Sequence, residues 1–280
     1  MLKLLAFDLD GTLLDGRKQI SEENLSALKE AAAAGITLVP ATGRIYRGIP
    51  EALKALPFLR YYILSNGAAL YDAETRQVIR RADVPLELAL RCYDYLDTLP
   101  VIYDCYQNEM GYMNRSMMER AEEYMAREPG ILELLYRLRV PVEDLKESLR
   151  QRGEDLQKLQ LWFRPEELWM RQTQLEEIPR RFPELKASTS ISNNIELNSI
   201  DAGKGRALEA LCAHLGIETA ESAAFGDGIN DLELLQAAGM GIAMANADPA
   251  LLKAADRVTE SNEENGVARG IRRLLAGEWR

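Results

Sequence analysis

The first part of the chain alternates short, almost unbroken apolar runs with amphipathic stretches. Leu4 to Phe7, Ile36 to Val39 and Tyr61 to Leu64 have the length and composition of strands buried on both faces. Between the first two, Ser21 reads as a helix N-cap with Ile20 and Leu25 placed to staple it, and the helix runs to Gly35. After the third run, Tyr71 and Val78-Ile79 flank a polar turn and predict a hairpin. These elements make a βαβαβ half of a doubly wound sheet.

From about Val84 the texture changes to longer helical patterns, and most of the tyrosines fall here, with Trp162 and Trp169. Pro85 to Leu96 and Arg115 to Met125 read as helices, and Val101 to Tyr106 and Leu159 to Phe163 as strands. Pro165 opens a further helix at its first turn. The earlier pattern resumes at Ile195-Glu196-Leu197, and Lys204 then opens a helix carrying Leu208, Leu211 and Leu215, closed by Gly216. Ser222 to Phe225 and Gly241 to Met244 are further strands, with a helix through Leu234 and Leu235 between them. Asp248-Pro249 caps a helix, Arg257 to Thr259 is an edge strand, and a last helix starts near Asn265. The expected fold is therefore α/β: a doubly wound, Rossmann-like parallel-sheet core from 1–83 and 191–280, with an inserted α+β domain at 84–190.

Composition narrows the functional classes. The chain has 280 residues and a formal net charge of −10, which disfavours nucleic acid and anionic membrane as partners and favours a small soluble substrate. Cys92, Cys105 and Cys212 are widely spaced and odd in number, so a disulfide framework or zinc site is not indicated, and reduced thiols in the cytoplasm fit best. The apolar start meets Asp8 and Asp10 too soon for a signal peptide, and no later run approaches membrane-spanning length. Oligomeric state is not legible.

Candidate chemistry lies where the strands end, the usual place for ligands in open α/β sheets. The first strand runs into Asp8-Leu9-Asp10-Gly11-Thr12, the second into Ala41-Thr42-Gly43-Arg44, and Ser222 to Phe225 into Gly226-Asp227-Gly228-Ile229-Asn230-Asp231. Turns and caps also use Asp, Gly and Thr, but these stretches share one rim of the expected sheet. Lys204, in the first turn of its helix, opposes the dipole unless an anion lies beside it. Asp8, Asp10, Asp227 and Asp231 would crowd together there. At about 4 Å and an effective dielectric of about 20, each like-charged pair costs about 4 kcal/mol, so a divalent cation is implied. Oxygen donors without histidine or cysteine indicate Mg²⁺. A lysine, a threonine hydroxyl and free N–H groups beside that ion suit a phosphate dianion. His214, the sole histidine, lies at the far end of its helix, so a covalent mechanism requires a carboxylate nucleophile.

D-L-D-G-T at 8–12, A-T-G-R at 41–44, S-N-G-A at 65–68, D-A-G-K-G around Lys204 and G-D-G-I-N-D at 226–231 together resemble the motifs of the haloacid dehalogenase superfamily. Their spacing resembles the Cof-type sugar-phosphate phosphatases with a type IIB cap between the second and third motifs. The resemblance implies a Mg²⁺-dependent phosphatase acting on a small phosphomonoester. In it, Asp8 is the nucleophile that becomes phosphorylated, and Asp10 is general acid and then base. Thr42 and Lys204 hold the phosphoryl oxygens, assisted by the Gly43 backbone and Asn230. The metal lies on Asp8, the Asp10 carbonyl and Asp227, with Asp231 further out and Asn66 in the supporting loop. A phosphomutase of similar architecture and a non-hydrolytic phospho-acceptor switch are the alternatives; a second aspartate directly after the acceptor favours the enzyme. In the insert, Asn108, Glu109, Met110, Tyr112 and Arg115 are read as a strand-to-helix loop and as candidates for substrate selectivity.

Overall fold

The computed structural model describes residues 2–125 and 129–279. Among them the strands are, in chain order, β1 Leu4–Phe7, β2 Thr37–Pro40, β3 Tyr61–Leu64, β4 Ala69–Asp72, β5 Gln77–Arg81, β6 Val101–Gln107, β7 Met110–Asn114, β8 Arg139–Val142, β9 Lys158–Phe163, β10 Leu185–Ser188, β11 Asn194–Ser199, β12 Ser222–Gly226, β13 Met240–Ala243 and β14 Arg257–Val258. The chain divides into two compact units. One comprises Met1–Gly43, Pro50–Arg81 and Gly203–Arg280; the other comprises Arg44–Ile49 and Ala82–Ala202.

The first unit is built on a parallel sheet of order β14-β13-β12-β1-β2. A parallel bridge from Ala41 to Ile63 joins β2 to the antiparallel meander β3-β4-β5. From β1 the chain proceeds through β2 on one side and later returns to β12 on the other, so the order reverses between β1 and β12. That is the switch point of a doubly wound sheet. Leu4, Ala6, Val39 and Ala224 pack with Leu208 and Leu211 of the helix Lys204–Leu215 and with Leu234 and Leu251 of the two helices after it. On the last helix, Gly266–Leu275, the absence of a side chain at Gly270 admits the Phe225 ring. Ser21 caps the helix Glu22–Ala33 by accepting from the Asn24 N–H, and Gly216 closes the helix Lys204–Leu215 in the left-handed conformation.

The second unit contains a mixed six-stranded sheet of order β10-β11-β9-β6-β7-β8. Tyr103, Cys105, Leu159, Leu161, Phe163, Ile195 and Leu197 alternate onto one face, where they meet the helices Leu86–Leu96, Leu145–Arg152 and Leu168–Arg181. The alternate positions are strongly polar. Arg139 reaches the Asp104 carboxylate at 3.1 Å and donates to the Tyr106 hydroxyl at 2.6 Å, while Trp162 Nε1 donates to Asp104 at 3.1 Å. Lys158 and Glu196 form a second buried pair at 3.0 Å.

Two expectations need correction. The α/β pattern does not resume at Ile195: β11 pairs antiparallel with β9 and β10, and the parallel architecture returns only with Lys204. The apolar Ile195 and Leu197 fit either sheet, because alternation reports a buried face and not a partner. The helix expected over Arg115 to Met125 is two helices, Arg115–Met118 and Ala121–Met125. No helix among the described residues is long and apolar enough to cross a membrane.

The buried pair in the second unit has a testable energy. Asp104→Ala strands the Arg139 charge and should cost about 3–5 kcal/mol, whereas Asp104→Ala combined with Arg139→Met should recover most of it. Urea denaturation followed by tryptophan fluorescence reads both, and equal destabilisation by the single and double variants would contradict this account.

Candidate active site

Three strand ends of the first unit carry the site. The Asp8 N–H continues the β1–β12 ladder by donating to the Phe225 carbonyl at 3.0 Å, so Asp8 stands at the carboxyl end of β1. Gly11 then turns the chain at φ +87°, and a Cβ there would overlap the Asp227 carboxylate. This close approach brings the Thr12 hydroxyl to Asp227 Oδ1 at 2.6 Å.

Asp227 follows β12, the neighbouring strand. Asp231 ends the 3-10 turn Ile229–Asp231, and its Oδ2 accepts from the N–H groups of Asp227 and Gly228 at 3.1 and 3.0 Å. Its other oxygen faces Lys204. The Lys204 side chain is fully buried, with Nζ 2.6 Å from Asp8 Oδ1 and 2.5 Å from Asp231 Oδ1. Two carboxylates thus compensate a lysine that the helix dipole disfavours.

Thr42 lies beyond β2, buried, with its N–H donating to the Ile63 carbonyl at 2.8 Å and its own carbonyl accepting from the Asn66 N–H at 3.0 Å. Ser65, Asn66 and Gly67 are all left-handed, and a Cβ on Gly67 would overlap the backbone of Gly203, directly before Lys204. Asn230 donates from Nδ2 to Asn66 Oδ1 at 3.3 Å. The S-N-G turn therefore supports both the start of the lysine helix and the acidic loop.

Asp8, Asp227 and Asp231 each present an oxygen within 4.8 Å of the others. Burial pushes the Asp8 carboxyl well above its usual range; Lys204 opposes that shift, while Asp231, Asp227 and Asp10 add to it. Asp227 is raised from the usual 3.8 to about 6, chiefly by burial and then by Asp231. Burial pulls the Lys204 ammonium down, but Asp231 and Asp8 outweigh it and hold its proton firmly. The donor set is all oxygen and carries more negative charge than one lysine offsets, which fits a hard divalent cation.

Three of the four expected carboxylates converge. Asp10 is not in the trio and lies 2.9 Å from Lys18 Nζ; β1 ends at Phe7 and the chain already turns at Leu9, whose carbonyl accepts from the Thr12 and Leu14 N–H groups, so strand alternation does not carry both aspartates to one point. Sequence reading missed Lys18, which looks like any lysine in a polar loop, and the tie from Thr12 to Asp227, signalled only by the position of Thr12 in the opening motif. Nor do the five selectivity candidates form a strand-to-helix loop. Asn108 and Glu109 are the turn of the β6–β7 hairpin, Met110 and Tyr112 lie on β7, and Arg115 opens a helix. Tyr112 belongs to the apolar cluster of the second unit, where its hydroxyl accepts from Arg152 at 2.9 Å. Arg115 is half exposed and paired with Glu143 at 2.6 Å.

The family model for haloacid dehalogenase-like hydrolases matches residues 5–271. Phosphatase YwpJ of Bacillus subtilis (strain 168) is 31% identical over 98% of this chain and 100% of its own. The 5-amino-6-(5-phospho-D-ribitylamino)uracil phosphatase YwtE of the same strain is also 31% identical, over 99% of this chain and 100% of its own. A solved haloacid dehalogenase-like hydrolase from B. subtilis matches with a TM-score of 0.82 at 30% identity, over 98% of this chain and 100% of that one.

The raised carboxyl predicts a pH effect in metal-free protein. Unfolded, Asp227 titrates near the usual 3.8; folded, near about 6. Its relative stabilisation is complete below about pH 4 and is lost as the pH rises through about 6, a change of about 3 kcal/mol. In EDTA, Asp227→Asn should therefore gain stability over wild type between about pH 4 and about pH 8. Parallel stability curves for the two proteins would refute the shift.

Proposed function

Since the chain belongs to the haloacid dehalogenase-like hydrolase family, we propose that it is a Mg²⁺-dependent phosphatase that hydrolyses a small phosphomonoester through an aspartyl-phosphate on Asp8. The observation that carries this reading is the buried contact of Lys204 with Asp8 at 2.6 Å. A carboxylate at the switch point of the sheet, with a locked ammonium against one oxygen, leaves its other oxygen to attack. The names of the relatives, YwpJ and YwtE among them, support phosphatase chemistry.

Asp8 attacks phosphorus, and the bond to the ester oxygen breaks as that oxygen takes a proton from Asp10. Water then attacks the same phosphorus, gives its proton to Asp10 and releases phosphate, which restores the Asp8 carboxylate. Lys204, the Thr42 hydroxyl, the Gly43 N–H and Asn230 hold the phosphoryl oxygens and meet the charge that develops on them. Asp8, the Asp10 carbonyl and Asp227 hold the metal, with Asp231 orienting the site from behind Lys204 and the Asp227 N–H. When bound, Mg²⁺ supplies charge neutralisation and lets the Asp8 carboxyl stay ionised despite its burial.

The second unit serves as the cap of type IIB that confers selectivity, and phosphorylated sugars or polyols are the substrate class. Cys92, Cys105 and Cys212 are all free and buried, which suits a reducing cytoplasm.

Asp8→Asn should lower phosphate release from any substrate at least about a thousandfold. It should still fold, because Lys204 keeps Asp231 at 2.5 Å. A panel of sugar, polyol and nucleotide phosphates, assayed with Mg²⁺ or EDTA and paired with thermal denaturation, reads both parts. Wild-type-like turnover by Asp8→Asn, or full activity in EDTA, would overturn the mechanism.

A further inference from the structure

The β6–β7 hairpin turns through two residues, Asn108 and Glu109, with φ of 49° and 60°. A two-residue turn left-handed at both positions favours Asn-Gly. Asn108 satisfies that preference; Glu109 occupies the glycine position at a conformational cost. Its side chain accounts for its presence. The carboxylate accepts from the Tyr46 N–H at 2.6 Å and from Gln157 Nε2, while the Glu109 N–H donates to Gln157 Oε1 at 2.9 Å.

Tyr46 belongs to the short segment Arg44–Ile49 that counts with the second unit, although the residues on either side of it count with the first. Tyr46 begins a 3-10 turn whose preceding residue, Ile45, has no side-chain acceptor to offer, so Glu109 supplies one from a distant part of the sequence. Two more contacts hold the segment: Arg44 donates to the Gly48 carbonyl at 2.7 Å, and Arg47 lies 2.5 Å from Met110 Sδ, next to Glu109. The segment follows Thr42 and Gly43 without a spacer.

We propose that Glu109 is a positioning residue for the phosphate-binding loop: by holding the Tyr46 N–H it fixes the backbone that leaves Thr42 and Gly43, so that phosphate affinity depends on the tip of the β6–β7 hairpin. The proposal rests on the phosphatase reading of Thr42 and Gly43. It differs from the earlier expectation that Glu109 selects substrates, since its carboxylate is engaged with the protein's own backbone.

Glu109→Gly gives the test its edge, because glycine suits the turn better and removes only the carboxylate. In the Mg²⁺-loaded full-length protein, Glu109→Gly should raise the inhibition constant of inorganic phosphate about five- to tenfold, the scale of losing a charged cap. Its melting temperature should equal or exceed that of wild type, and amide hydrogen exchange should quicken across 42–48. Glu109→Gln, which keeps an acceptor oxygen, should return the inhibition constant to within about twofold of wild type. Unchanged phosphate inhibition and exchange in Glu109→Gly, beside an active wild type, would overturn the proposal alone. A wild type that neither hydrolyses phosphomonoesters nor is inhibited by phosphate would overturn the phosphatase reading and this proposal with it.

Discussion

Everything in the site turns on one buried ammonium. Lys204 Nζ lies between Asp8 and Asp231, which are drawn from opposite ends of the sequence and from the segments that follow the adjacent strands β1 and β12. An unpaired lysine at this depth would be among the most costly groups a fold can bury, and either aspartate alone there would be nearly as costly. Paired, each fixes the others: Asp231 is also held by the N–H groups of Asp227 and Gly228, and Asp8 by its place in the β1–β12 ladder. Their positions are set by backbone geometry, so the charges arrive prearranged rather than being gathered by a substrate.

That constraint explains why so much of the first unit could be read from the chain. Buried parallel strands appear as apolar runs, and each is followed by residues that must turn the chain or meet a ligand; β1, β2, β3 and β12 appear within a residue of their expected ends. Caps such as Ser21 and Asp248 rest on local hydrogen bonding alone and were equally legible. The second unit followed different rules. Its sheet buries Asp104, Arg139, Lys158 and Glu196, residue types that a sequence reader assigns to solvent, because their compensation comes from partners on other strands. Likewise, the pattern around Ile195 reported a buried face without saying in which sheet. In the site, the convergence of Asp8, Asp227 and Asp231 followed from topology, whereas the separation of Asp10 from them depended on the turn that begins at Leu9 and on Lys18, which carries no motif.

The electrostatics also bear on what the bare site can accept. Asp8, Asp227 and Asp231 set three carboxylates against the single charge of Lys204, and a phosphate dianion approaching that excess would be repelled. Burial first, and this excess added to it, push the Asp8 and Asp227 carboxyls upward, so the bare site disfavours the charged Asp8 that attack on phosphorus requires. A divalent cation held by Asp8, Asp227 and Asp231 would oppose both effects: it would lower the cost of ionising Asp8 and make the local potential less repulsive to a phosphoryl group. Lys204 does not cancel the excess by itself, since its one charge faces both Asp8 and Asp231. The fit of this cluster to a hard divalent cation is therefore a consequence of how the fold balances its own buried charges.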